Sequence, residues 1–278
     1  MIGILNMEIG RPDSRGRLSM NSIKQLLVAI FWVLCLNGVA ISQNPPEANP
    51  ESDNDPDLKA LIKKVETQHR GETSHGKTRM NISTKDWNRT LLMETWSEGR
   101  EKFLVKILDP AKEKGTCTLK VENDIWNFFP KIDRLIKIPS SLMGDKWMGS
   151  NFTNDDLVKD TKIDELYDLT KESGDKKNIV ILATPKPTAA VVWGKILYSI
   201  DLEKEIPTSV DYFDEAGKKV RTMVFDQVRQ ISNRWLAMRM KVQPLETPNE
   251  WTELLFESIE FDLKLPSNLF SVQALRKR

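Results

Sequence analysis

Residues 106–159 read KILDPAKEKGTCTLKVENDIWNFFPKIDRLIKIPSSLMGDKWMGSNFTNDDLVK, and the punctuation of this stretch decides the fold. Short apolar runs alternate with turn signals. One run covers 103–108. Runs at 116–121 and 125–129 are separated by Asn123-Asp124, and 134–138 follows Pro130. Runs of this length, bounded by Gly, Pro, Asn and Asp, read as strands. Short polar connections make successive strands antiparallel, because parallel neighbours need crossovers of about a dozen residues or more. Phe103, Val105 and Ile107 share one face, with Lys106 on the other.

The same rhythm extends in both directions. Residues 91–96 precede Glu98-Gly99, and further strand-like runs fall at 179–182, 196–202, 209–213, 220–231, 235–242 and 251–263. Leu236, Met238, Met240 and Val242 share a face, opposite Arg239 and Lys241. Elsewhere both faces are apolar: Met223 and Phe225 oppose Val220 and Val224, and Leu254 and Phe256 oppose Leu255 and Ile259. Such strands are partly covered on both sides. The pattern predicts a mainly β chain with a few helices (α+β), either one curved sheet with helices over its hollow or a β-sandwich. Before the strands, Leu58, Leu61, Ile62 and Val65 repeat at helical spacing, with Asp55 or Asp57 placed to cap the helix. His69 and His75 flank Gly71 in a polar stretch and read as loop or strand-edge residues.

Residues 140–160 break the rhythm. They carry Leu142, Met143, Trp147, Met148 and Phe152, with Gly144 and Gly149 between them. Thr153 or Asn154 ahead of Asp156-Leu157-Val158 reads as an N-cap and a short helix. Large apolar groups of this kind must lie over something apolar. The segment is either a loop packed on the core or a lid over a lipid-sized hollow.

The N-terminus reads as an address. LLVAIFWVLCL at 26–36 follows Lys24 and precedes Gly38, Ala40 and Ser42, which is the build of a cleaved secretory signal ending at residue 42. The run is too short for a membrane span of ~20 apolar residues. Residues 1–19 are polar, so translation starts either at Met20 or at Met1 with a long n-region. Leu34 before Cys35 does not fit a lipid-attachment site. QNPPEANPESDNDPD at 43–57 has no apolar periodicity and reads as a disordered linker. A single β domain is expected over 58–278.

Composition excludes several classes. The chain has 41 Lys and Arg against 40 Asp and Glu, with 2 His and 2 Cys. That balance excludes a dominant basic surface for nucleic acid, and so few His and Cys argue against metal sites and disulfide scaffolds. No nucleotide-binding, zinc-protease or G-x-S-x-G motif occurs. Cys117 reads as a buried structural thiol. The sequence therefore calls for no enzyme activity, no cofactor and no metal. What remains is apolar surface, rich in Met and Trp, able to shelter an acyl chain. Met adapts to irregular ligands. The candidates for the cavity and its lid are Phe103, Val105, Ile107, Trp126, Phe128, Leu142, Met143, Trp147, Met148, Phe152, Met223, Phe225, Leu236, Met238 and Met240.

Taken in order, the motifs resemble the periplasmic outer-membrane lipoprotein-sorting (LolA-like) family. They are Pro110, Gly115-Thr116, Trp126-Asn127-Phe128-Phe129-Pro130, the basic strand at 134–138, and Met148-Gly149-Ser150-Asn151-Phe152 with Asp155-Asp156-Leu157. A second series is Lys195-Ile196, Asp201, Pro207, Tyr212-Phe213-Asp214, Gly217-Lys218, Asn233-Arg234-Trp235 and Met238. The likeness covers about residues 75–265. Asn151 departs from it, standing where members commonly carry Asp. The resemblance implies an incomplete, strongly curved antiparallel β-barrel with helices covering its concave face. It also implies a monomeric periplasmic carrier of lipoprotein or lipid acyl chains, with an inner-membrane transporter and an outer-membrane acceptor as partners. An envelope sensor or scaffold on the same fold, binding a membrane regulator, is the alternative, with a hydrolase behind it.

Overall fold

The chain folds around one sheet rather than two. The computed structural model describes residues 56–159 and 162–276, so the expected leader and nearly all of the linker lie outside the described residues. Thirteen strands form a single antiparallel sheet that does not close into a barrel, which excludes the sandwich. They are β1 (Thr73–Ser83), β2 (Asn88–Glu98), β3 (Lys102–Asp109), β4 (Cys117–Val121), β5 (Asp124–Phe129), β6 (Arg134–Lys137), β7 (Tyr167–Gly174), β8 (Asn178–Pro185), β9 (Lys195–Asp201), β10 (Ile206–Phe213), β11 (Lys219–Ile231), β12 (Arg234–Pro244) and β13 (Trp251–Phe261). Among the described residues four α-helices accompany them: α1 (Leu58–Thr67), α2 (Asn154–Lys159), α3 (Ile163–Leu166) and α4 (Val272–Arg276).

The strand order is β6-β5-β4-β3-β2-β1-β13-β12-β11-β10-β9-β8-β7. Two meanders, β1–β6 and β7–β13, therefore meet where β13 pairs with β1. The irregular segment after β6 has to carry the chain from one edge of the sheet to the other. This is the physical reason for the break in the strand rhythm. Hairpin turns follow local chemistry: Ser232 and Asn233 both have positive φ between β11 and β12, as a two-residue turn between twisted strands requires.

The sheet is strongly curled. Phe103 and Val105 on β3 stand seven strand steps from Tyr198 on β9, roughly 34 Å on a flat sheet at ~4.8 Å per step. They nevertheless line one cavity. Helix α1 lies in the hollow, capped by Asp57, which accepts from Lys59 N (3.0 Å) and Ala60 N (3.3 Å). Its buried face of Leu61, Ile62 and Val65 joins Met80, Leu91 and Ile107 in the inner core. A second core covers the outside of β3–β5. There Leu104, Cys117, Leu119 and Phe128 pack against Leu269 and Leu275 of the C-terminal segment.

Two strands are absent from the sequence reading. β1 has few apolar residues because small or hydroxylated side chains (Ser74, Gly76 and Thr78) fill buried positions on it. Gly76 permits a close approach, since a Cβ there would lie 2.5 Å from the Ser258 carbonyl oxygen. β7 is an edge strand, largely exposed and polar beyond Tyr167. His75 is accordingly not an edge residue. It stands on β1 in mid-sheet, stacks on Trp96 at 5.1 Å and bonds Glu94 at 2.8 Å.

Candidate functional site

A cavity of about 220 Å³ remains between the curled sheet, α1 and the 140–159 segment. Its apolar wall comes from β9–β13, including Tyr198, Val210, Met223, Phe225, Leu254 and Phe256. Phe103 and Val105 close it from β3, and Trp147 and Phe152 from the crossing segment. The β1–β2 side is more polar. Ser74 and Ser97 hydroxyls bond each other at 2.6 Å, and Ser97 Oγ donates to the Arg70 carbonyl at 3.3 Å. The Arg70 guanidinium lies over the Phe103 ring, 5.3 Å from its centroid.

His69 closes the α1 end. Its Nε2 donates to the Ala237 carbonyl at 2.8 Å, and its ring packs 5.0 Å from Phe256. Burial pushes its pKa below the usual histidine value, the nearby Arg70 charge adds to that, and the hydrogen bond to Ala237 opposes it. The wall at this end is therefore a neutral imidazole. Among the described residues, no group of three or more His, Cys, Asp or Glu is placed to hold a metal.

The crossing segment is anchored by buried polar bonds. Thr153 and Asp156 form a reciprocal capping box at the start of α2: Asp156 N donates to Thr153 Oγ1 (3.1 Å), and Thr153 N to Asp156 Oδ2 (2.7 Å). Asp156 also takes a two-point ion pair from Arg221 of β11, at 2.6 and 2.9 Å. The guanidinium stacks on Tyr212 (3.9 Å) and Trp193 (4.3 Å). Trp147 Nε1 donates to Thr118 Oγ1 at 3.1 Å, and Asn151 N to Thr252 Oγ1 at 2.9 Å. Three side-chain contacts thus tie the segment to β4, β11 and β13. Trp147 and Phe152 thereby cover the cavity, and the segment forms its cap.

Seven of the fifteen sequence-nominated residues meet in this cavity: Phe103, Val105, Trp147, Phe152, Met223, Phe225 and Met240. Ile107 lies in the inner core beside it. Trp126 and Phe128 face outward into the second core, because β4 and β5 present Thr118 and Asn127 to the inside. Leu236 and Met238 are buried but do not reach the cavity. Leu142 is 42% exposed, Met143 is half-buried, and Met148 packs against the inner core but lines a separate hollow rather than the cavity. The sequence reading did not pick out Arg221, Thr118, Ser74 or Ser97. The acidic pair at 155–156 and the strand alternation were the available signals, but neither identifies a partner 65 residues away.

A family model described as an uncharacterized protein matches residues 99–277. Among solved structures, the chain is similar to a DUF1329 family protein from Desulfovibrio piger, at 20% identity and a TM-score of 0.70, over 78% of this chain and 97% of that one. It is similar to an outer membrane lipoprotein-sorting protein domain from Vibrio parahaemolyticus, at 21% identity and a TM-score of 0.68, with coverage of 78% and 97%. A LolA superfamily protein from Nitrosomonas europaea matches at 17% identity and a TM-score of 0.64, with coverage of 78% and 98%. No curated protein matches the chain. Likeness at these identities establishes the fold.

Proposed function

Because the chain belongs to the family matched over residues 99–277 and has the open barrel of LolA superfamily proteins, we propose that it is a periplasmic carrier of acyl chains. Its cargo is the acyl moiety of a lipid-modified protein or a lipid. It receives this cargo from an inner-membrane transporter and passes it to an outer-membrane acceptor. The neighbour from Vibrio parahaemolyticus, a lipoprotein-sorting domain, supports the choice of cargo.

The observation that carries the reading is the capped apolar cavity inside the curl. No reaction is needed, because sheltering the chain is the activity. A segment of about eight methylenes, at ~0.8 kcal/mol each, contributes about 6 kcal/mol on burial. The volume, about 220 Å³, is below the ~300–1,000 Å³ of drug-sized sites. Longer cargo therefore has to widen the cavity, and the unbranched Met223 and Met240 side chains can rearrange to allow it. Native mass spectrometry of gently purified protein, followed by lipid extraction, tests this. Copurifying acyl lipid is expected. Protein that is always empty and ignores added fatty acids would refute it.

A further inference from the structure

A second hollow lies across the cap turn from the cavity, with Trp147 lining one and its neighbours Lys146 and Met148 the other. It is an open depression of about 560 Å³ between the loop before β4, the turn after β5 and the cap turn at 146–149. Its charged wall is Lys112, Lys131, Lys146 and the Arg89–Glu113 ion pair. Glu113 is the one acid among them and is taken by Arg89. Lys146 is largely exposed, with Glu250 at 3.7 Å. Lys112 and Lys131 are exposed and enter no ion pair among the described residues. The hollow therefore presents net positive charge to solvent.

Apolar groups stand in the same place. Ile132 lines the hollow and is 68% exposed, and Met148 lines it from the cap. Trp87 is 42% exposed, with its ring over Gly149. Lysines grouped with an exposed Ile, beside a turn that carries an exposed Trp, suit the boundary between water and lipid. There the rings and stems sit at headgroup level and the ammonium groups meet phosphate.

We propose that this hollow seats the headgroups of anionic phospholipids and docks the protein on an anionic membrane surface. The cap turn joins the two sites. Met148 (φ 53°) and Gly149 (φ 73°) hold a tight left-handed turn from which Trp147 points into the acyl cavity while Lys146 and Met148 line the hollow. A headgroup seated in the hollow therefore touches the backbone that positions the cavity's Trp147 plug. Membrane contact and cargo exchange share one element.

Vesicle flotation with the full chain tests the proposal, comparing phosphatidylcholine vesicles with and without phosphatidylglycerol. Any binding through the apolar run at 26–36 and the basic residues before it is common to all variants, so the comparison between variants isolates the hollow. The parent is expected to prefer the anionic vesicles, and to lose that preference in high salt. Each lysine lost should weaken the anionic binding about fivefold, so K112Q/K131Q/K146Q should bind about a hundredfold more weakly. Ile132→Asp should weaken it independently. Equal binding to both vesicle types, or a triple variant that melts and binds like the parent, would overturn the proposal. Binding to an acidic protein but to neither vesicle would also overturn it. A fluorescent fatty-acid titration of the same proteins reads the inner cavity separately. Retained probe binding with lost vesicle preference marks failure of docking alone, and the converse marks failure of the carrier reading alone.

Discussion

The Asp156–Arg221 pair is the most exacting place to perturb the cap. Both residues are about 95% removed from solvent, at 5% and 4% exposure, and two short bonds join them. Asp156→Asn preserves shape but removes the negative charge that pairs with the guanidinium buried beside Tyr212 and Trp193. Breaking a buried pair from one side costs about 3–5 kcal/mol. The Thr153 capping contact can survive in the amide, so the loss is mainly electrostatic. At ~2–4 °C per kcal/mol for a domain of this size, the melting temperature should fall by about 10 °C. Replacing both partners with apolar residues should restore most of the loss, because it also removes the uncompensated charge. A double-mutant cycle by urea denaturation, with near-ultraviolet circular dichroism to follow Trp147, gives both numbers. If Asp156→Asn lies within about 1 kcal/mol of the parent, or the double variant is the worse of the two, the cap is not anchored in the way described.

Other consequences can be read on the same instruments. Lys120 is fully buried on β4, its Nζ donating to the Arg100 carbonyl. Burial, reinforced by the nearby Arg70 charge, pulls its pKa down to about 7 from 10.5. Between those values the unfolded chain binds the extra proton, so stability should rise with pH across the window and fall back as pH drops through 7. Lys120→Met should flatten that slope. His69 has the same sign at lower pH. Its folded pKa lies below 6.5, so its contribution is present above 6.5 and fades on acidification. His69→Gln should reduce the acid sensitivity in denaturation curves below pH 6.5. Leu275→Ala should cost about 2–5 kcal/mol, because Leu275 is fully buried in the outer core. It should leave fatty-acid binding unchanged, since that core is on the far side of the sheet.

Much of this fold was legible because strand periodicity is a local property. The runs around Phe103, Ile125, Ile196 and Met240 alternate as half-buried strands should, with turn residues between them. β1 was not legible. Its buried Ser74 and Thr78 face a cavity wall and a hydroxyl pair rather than a greasy core, so hydropathy is a poor guide there. β7 was missed for the opposite reason, being an exposed edge. The site was half legible. Alternation places Trp126 and Phe128 on one face, but only the C-terminal segment, packing outside β4 and β5, decides that this face is the outer one. The 140–160 segment was open between packed loop and lid. Sheet topology shows it is a crossing between opposite edges, and the Arg221 pair shows how it is pinned. Both are long-range facts with no local signature.

The central claim is that the cavity itself holds the acyl chain. Titration of a fluorescent long-chain fatty acid into the parent and into Met240→Trp, which fills the cavity from its β12 wall, tests it most directly. Saturable, blue-shifted binding to the parent is expected, with at least tenfold weaker binding to a folded Met240→Trp, the larger ring occupying the space of about two methylenes at ~0.8 kcal/mol each. Equal affinity in the two proteins, or no binding to either, would contradict it.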